Sequence, residues 1–212
     1  MGILRVHNAP VMRWTRTWLA VGDSYTVGEG VPLYDSYPYQ ALRMLRRKGD
    51  DWGAPEIVAR TGWTTDELMA GIEAAQPSAR YDLVTLLIGV NNQYRGRALE
   101  EFERQFTALL QTAIRFAGYE KGHVVVLSIP DWGVTPFAVD RDAKKIAMEI
   151  DAFNAVNRSV SLREGVAWID VTGSTRSAKG DRSRVAPDGL HPSGLEYAIW
   201  AAALAERVAA IR

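Results

Sequence analysis

The 212-residue sequence contains no cysteine. Disulfides, thiolate nucleophiles and cysteine-ligated metals are therefore excluded, although this does not decide the compartment. There is no excess of charge either, because 25 Lys and Arg balance 25 Asp and Glu. Nucleic acid is thus a poor fit as main partner, since a polyanion is normally met by a basic excess. No apolar run approaches the ~20 residues of a membrane-spanning helix. The first residues hold no signal-peptide core, because Arg5, His7, Asn8 and Pro10 interrupt them. The expected location is the cytoplasm. Residues 1–11 fit no element and read as a tail, with Met12 as an alternative start, and 12–212 read as one domain. Histidine is scarce as well. Of the three, His7 falls in the tail and His123 opens an expected strand, which leaves His191 as the good candidate for a base.

What is present is a globular composition, 47% hydrophobic, with no internal repeat, low-complexity tract or linker. Strand-like and helix-like segments alternate, the signature of a parallel sheet covered by helices. Strands are expected at residues 16–22, 55–59, 83–88, 123–129 and 166–170. Several are continuous apolar runs, as suits strands buried on both faces. Helices are expected over 36–48, from a capping box at Thr64–Glu67, over the run Leu99, Phe102, Phe106, Leu109 and Ala113 stopped by Gly118, over the run from Ile146 to Val160 ending before Gly165, and from a second capping box at Ser193–Glu196 to near the C-terminus. This is a three-layer α/β/α domain of about five parallel strands. All its strand-to-helix loops gather on one edge of the sheet, where such folds bind ligands.

The residues at that edge carry chemistry. Strand one ends at Gly22-Asp23-Ser24, and a serine there can serve as a nucleophile on rigid scaffold. Asp23 reads as structural, holding the Ser24 turn. Strand two is followed by Gly62, whose N–H can approach a substrate oxygen closely because no side chain intervenes. Strand three is followed by Gly89-Val90-Asn91-Asn92, where Asn91 offers a side-chain NH₂. Strand five leads through a polar loop to Asp188-Gly189-Leu190-His191. His191 would take the Ser24 proton, and Asp188 is near enough to orient the imidazole. With the Ser24 N–H, Gly62 and Asn91 make a set of donors for a developing oxyanion. Each of these residues alone reads more simply as a turn or cap. Independent turns, however, have no reason to supply a nucleophile, a base, its orienter and donors on one edge.

These blocks resemble those of the SGNH hydrolases, also called GDSL esterases/lipases: Gly-Asp-Ser at 22–24, an isolated Gly62, Gly-x-Asn at 89–91 and Asp-x-x-His at 188–191. They stand in the family's order and span nearly the whole chain. The resemblance implies a flavodoxin-like fold, ester or thioester hydrolysis by a Ser24–His191–Asp188 triad, oxyanion donors at Ser24, Gly62 and Asn91, and no metal or cofactor. The chain departs from the pattern at Tyr25, which replaces Leu, and at Asn92, which replaces Asp. Tyr25 could alter the pocket wall, and Asn92 could loosen the support of Asn91.

Tyr25, Trp63 and Trp132 are candidate pocket residues, with the alternative for Trp63 that it packs under its helix. Tyr94-Arg95-Gly96-Arg97 is a candidate rim. Arg176, Lys179, Arg182 and Arg184 read as solvated loop charge in preference to a site for an anionic substrate. The expected substrate is a small-molecule ester. The loops are short, which suggests an open site and a short acyl group such as acetyl or butyryl. Lysophospholipids, acyl thioesters and acetylated sugars are alternatives, as are acyl transfer by the same triad and a non-catalytic flavodoxin-like binding module. Nothing in the sequence speaks to oligomeric state.

Overall fold

The computed structural model describes residues 15–211. The expected tail at 1–11 and Met12 lie outside them. Five parallel strands form the sheet: β1 (Trp18–Gly22), β2 (Glu56–Ala59), β3 (Leu83–Leu87), β4 (Val124–Leu127) and β5 (Ala167–Ile169). Their spatial order is β2-β1-β3-β4-β5. Every residue of β1, β3 and β4 is buried, whereas β2 and β5, at the edges, are part-exposed. The uninterrupted apolar runs in the sequence thus correspond to strands with helices on both faces. His123 lies in a 3₁₀ turn ahead of β4, not in the strand.

The long helices are α2 (Tyr37–Arg47), α3 (Thr65–Ala75), α5 (Leu99–Phe116), α6 (Ala143–Glu164) and α8 (Gly194–Ala209); the short ones are α1 (Ser24–Val27), α4 (Val90–Tyr94) and α7 (Thr172–Ser177). Helices α2 and α8 pack together, and α5 packs with both α3 and α6. The Thr64 box forms as expected, with the Thr64 N–H donating to Glu67 Oε2 at 2.9 Å. The second box does not form. The Ser193 Oγ accepts from the Leu195 N–H at 3.2 Å, but the Ser193 N–H goes to the Arg184 carbonyl. Glu196 instead turns inward and is buried. The three short helices escape a periodicity search because none completes two turns, and two of them carry residues of the candidate site.

The strand order reverses direction between β1 and β3, so the chain leaves these neighbours toward opposite sides and a crevice opens beyond their carboxyl ends. Ser24 follows β1 and Asn91 follows β3, one on each lip. The approach there is very close. A Cβ on Gly22 would fall 2.3 Å from the Leu87 carbonyl oxygen and 2.2 Å from Thr26 Oγ1. Only glycine lets the chain turn sharply enough here to bring Ser24 to the sheet edge.

Asp23 caps the turn that follows, accepting the Tyr25 N–H on Oδ1 at 3.0 Å. It is fully buried, and its Oδ2 has no partner among the described residues. Burial pushes its carboxyl up to about 7, against the lowering effect of the Tyr25 N–H. Folded Asp23 therefore holds a proton more tightly than the unfolded chain does. Its contribution to stability is full below the unfolded carboxylate pKa and is lost as pH rises through about 7. Asp23→Asn keeps the capping oxygen without the proton equilibrium. Thermal melts of both proteins should show the wild type losing ground to Asp23→Asn between about pH 5 and pH 8, at ~2–4 °C per kcal/mol involved. A Tm difference that stays constant across this range would refute the assignment.

Candidate active site

Ser24 opens α1 and is almost completely buried. Its Oγ lies 3.0 Å from His191 Nε2. On the other side of the ring, His191 Nδ1 lies 2.6 Å from Asp188 Oδ2. The second carboxylate oxygen, Oδ1, accepts the backbone N–H groups of Leu190 (2.9 Å) and His191 (3.0 Å). Burial opposes charge on Asp188, but the His191 side chain and the two N–H groups outweigh it and hold the carboxyl below the usual range. An ionised carboxylate can only accept, so the Nδ1 carries the ring proton. In the neutral ring, Nε2 then presents its lone pair to the Ser24 hydroxyl. The segment bearing both residues is a compact turn, closed by a Val185–Pro192 antiparallel bridge and by the Ala186 N–H on the His191 carbonyl at 2.7 Å.

Across the crevice stand Gly62 and Asn91. Gly62 occupies a positive-φ turn (+87°) before α3. Its N–H has no protein acceptor among the described residues, and its carbonyl takes Arg95 Nη2 at 2.6 Å. Asn91 sits in the first turn of α4 and donates from Nδ2 to the Trp63 carbonyl at 2.9 Å. That bond uses one N–H of the amide; the other is without a protein acceptor among the described residues, and Asn91 lines the pocket. The Ser24 N–H is likewise not taken up by a protein acceptor there.

Asn92 does not loosen this arrangement. It is fully buried and clamps α4 to α3, accepting the Thr65 N–H on Oδ1 (3.1 Å) and donating from Nδ2 to Thr65 Oγ1 (2.7 Å). An amide can donate and accept at once, which this double contact requires. Arg95, which the sequence marks as rim, also belongs to the framework, because its second contact is Glu67 at 3.2 Å.

The pocket between these lips has a volume of about 190 Å³ and is lined by Ser24, Gly62, Asn91 and His191 together with Tyr25, Tyr94, Trp132 and Phe137. Tyr25 does form wall, its ring meeting that of His191 edge-on at 5.4 Å between centroids. Trp132 is also wall. Its Nε1 donates to Gln93 Oε1 at 2.8 Å, and its ring is met by Tyr94 (5.4 Å) and Phe137 (6.0 Å). Trp63 is not. Its indole lies against Gly71 of α3, where a Cβ would come within 2.1 Å of it. It serves the site through its carbonyl alone. Tyr94, in the stretch the sequence marks as candidate rim, lines the pocket, and so does Phe137, which the sequence reading did not single out.

The arginine-rich stretch is only partly solvated. Arg176 pairs with buried Asp131 and with Asp151, each at 2.8 Å, and Arg184 pairs with buried Glu196. Among the described residues, no group of three or more His, Asp or Glu is placed to hold a metal ion, and no helix is long and apolar enough to cross a membrane.

Comparison with known structures gives a consistent result. The fold is similar to that of TesA, with a TM-score of 0.74 and 20% identity over 93% of this chain and 100% of that one. It is similar to a lipase/acylhydrolase from Enterococcus faecalis, with a TM-score of 0.67 and 21% identity over 91% and 95%. The acetylxylan esterase Axe2 from Geobacillus stearothermophilus gives 0.67 and 18% over 93% and 95%. No curated protein matches the sequence. Residues 20–199, which carry every block of the crevice, match the GDSL-like lipase/acylhydrolase family, and the chain belongs to that family.

Proposed function

We propose that this protein hydrolyses carboxylic esters of short acyl groups through an acyl-enzyme on Ser24. The observation that carries the reading is the unbroken relay from Ser24 Oγ to His191 Nε2 (3.0 Å) and from His191 Nδ1 to Asp188 (2.6 Å). In this mechanism His191 removes the hydroxyl proton as Ser24 attacks the acyl carbonyl. Asp188 steadies the imidazolium that forms. The carbonyl oxygen becomes an oxyanion and is received by the N–H groups of Ser24 and Gly62 and by Asn91 Nδ2. These donors are already fixed in place, so little reorganisation is needed when charge develops. Collapse expels the alcohol with the proton from His191, and water repeats the sequence to release the acid.

The pocket volume of about 190 Å³ supports a small acyl group. The pocket lining is mostly apolar, with rings from Tyr25, Tyr94, Trp132 and Phe137, which suits an apolar acyl chain more than a charged one.

Hydrolysis of p-nitrophenyl esters from acetyl to palmitoyl should peak at the short end. A peak at long chains would leave the relay but remove the short-acyl assignment. Acetylated xylan belongs in the same series, since two structural neighbours are named for that substrate. Ser24→Ala should abolish turnover and labelling by a fluorophosphonate; wild-type rates in that variant would refute the nucleophile. Asn91→Ala should lower kcat by roughly 10²–10³, and an effect confined to KM would take Asn91 out of the oxyanion site. No ester turnover and no labelling of the wild type would favour a binding module. Product shifting from acid to ester on addition of an alcohol would favour acyl transfer.

A further inference from the structure

Behind the relay lies a buried ion pair that touches no reacting atom. Glu196, in the first turn of α8, is only 1% exposed. Its Oε2 accepts from Arg184 Nε at 2.7 Å, and Arg184 Nη2 pairs with the same oxygen. Its Oε1 accepts from Trp200 Nε1 at 2.9 Å and from Ser174 Oγ at 2.5 Å. The rest of the guanidinium is satisfied by the Ser174 carbonyl (3.1 Å) and Ser177 Oγ (3.2 Å). Arg184 and Glu196 border a crevice they share with His191, but its volume is about 20 Å³. That is room for about one water and not for an ester, so substrate binding does not explain the pair. Stability is a weak explanation too, because a buried ion pair often contributes no more than apolar residues of the same size would.

The pair reaches His191 by two routes. The first is backbone. The Arg184 carbonyl accepts the Ser193 N–H at 3.0 Å, Val185 bridges Pro192, and the Ala186 N–H holds the His191 carbonyl. Fixing the guanidinium therefore fixes one leg of the turn that carries Asp188 and His191. The second route is through rings. Trp200, anchored by Glu196, packs on Tyr25 at 6.1 Å, and Tyr25 meets the His191 ring edge-on. A single carboxylate thus governs both the loop bearing the imidazole and the surface against which the imidazole rests.

We propose that the Arg184–Glu196 pair positions His191 between Ser24 and Asp188; the proposal rests on the relay reading above. Arg184 and Glu196 are positioning residues, and the planar guanidinium, whose donors reach Glu196 Oε2, the Ser174 carbonyl and Ser177 Oγ at once, is the part that matters.

The test replaces the pair by apolar residues of similar size, Arg184→Met with Glu196→Leu, and compares it with Arg184→Lys, which keeps the charge but loses the fork. The expected result for the double variant is a near-wild-type Tm, kcat lower by ~10–10²-fold, KM within about twofold, and slower fluorophosphonate labelling of Ser24. Arg184→Lys should fall between it and the wild type. A folded double variant with full kcat and full labelling rate would overturn the proposal. If the double variant does not fold, Glu196→Gln is held to the same criteria. Were the wild type itself inactive toward esters and unlabelled, the functional reading would fail instead. The positioning would then be judged on the His191 Nδ1 proton by NMR. Loss or faster exchange of that signal in the variants supports it, and an unchanged signal overturns it.

Discussion

The close approach of β1 and β3 is the constraint on which the rest depends. These two strands lie side by side, both fully buried, and the backbone at Gly22 leaves no space for a side chain against the Leu87 carbonyl. Because the connections from β1 and β3 leave toward opposite faces, their carboxyl ends frame a crevice instead of being covered by a helix. Ser24 and Asn91 need no long excursion to face one another. They lie in the first turns of short helices just beyond the strands, where the backbone is held by the sheet. The site inherits the rigidity of the most buried part of the molecule.

That rigidity extends outward through polar side chains, the buried Asn92 and Gln93, the half-buried Asn91 and the exposed Arg95. Asn92 closes α4 onto α3, Asn91 is held on the Trp63 carbonyl, Arg95 holds the Gly62 carbonyl, and Gln93 accepts from Trp132 while donating to Glu149 at 2.7 Å. Four consecutive or near-consecutive residues of one short helix and its end thus tie down three other segments. A buried polar group left unpaired is costly, so each of these bonds fixes a direction as well as a distance. On the opposite lip, the turn from Val185 to Pro192 is stiffened in the same way by Arg184 and Glu196. Between the two lips the Ser24–His191–Asp188 contacts, with Gly62 and Asn91 opposite, face a small pocket lined in part by aromatic rings. Asp23 departs from this pattern, as do Thr26 and Tyr197, since one of its carboxylate oxygens is buried without a partner among the described residues. Its raised pKa follows from that environment.

Where local reading and structure part company, the reason is each time a longer-range contact. Ser193 and Glu196 have the spacing of a capping box, but the Ser193 N–H already has the Arg184 carbonyl, so Glu196 is released to meet the guanidinium. Arg176 and Arg184 read as loop charges because their carboxylate partners, Asp131 and Glu196, lie 45 and 12 residues away in sequence. Trp63 follows Gly62 at the edge of the crevice, yet Gly71 two turns on leaves a hollow on α3 that takes the indole. Asn92 stands where an acid is usual, and the amide serves because its partner offers both a donor and an acceptor.

The sequence by itself determined the layered α/β architecture and the identity of the groups that could do chemistry. Strands buried on both faces must be apolar throughout, helices must repeat their apolar residues every three or four positions, and both patterns are local. The four short blocks are equally local, each marking a strand end by its glycine or small polar residues. Tertiary structure alone decided the strand order that brings those ends together, the 3.0 Å and 2.6 Å contacts of the relay, the aromatic wall of Tyr94, Trp132 and Phe137, and the assignment of each charge to a surface or to a buried partner. Those outcomes depend on which distant segments come into contact, and no spacing along a chain encodes the direction in which a side chain finds its partner.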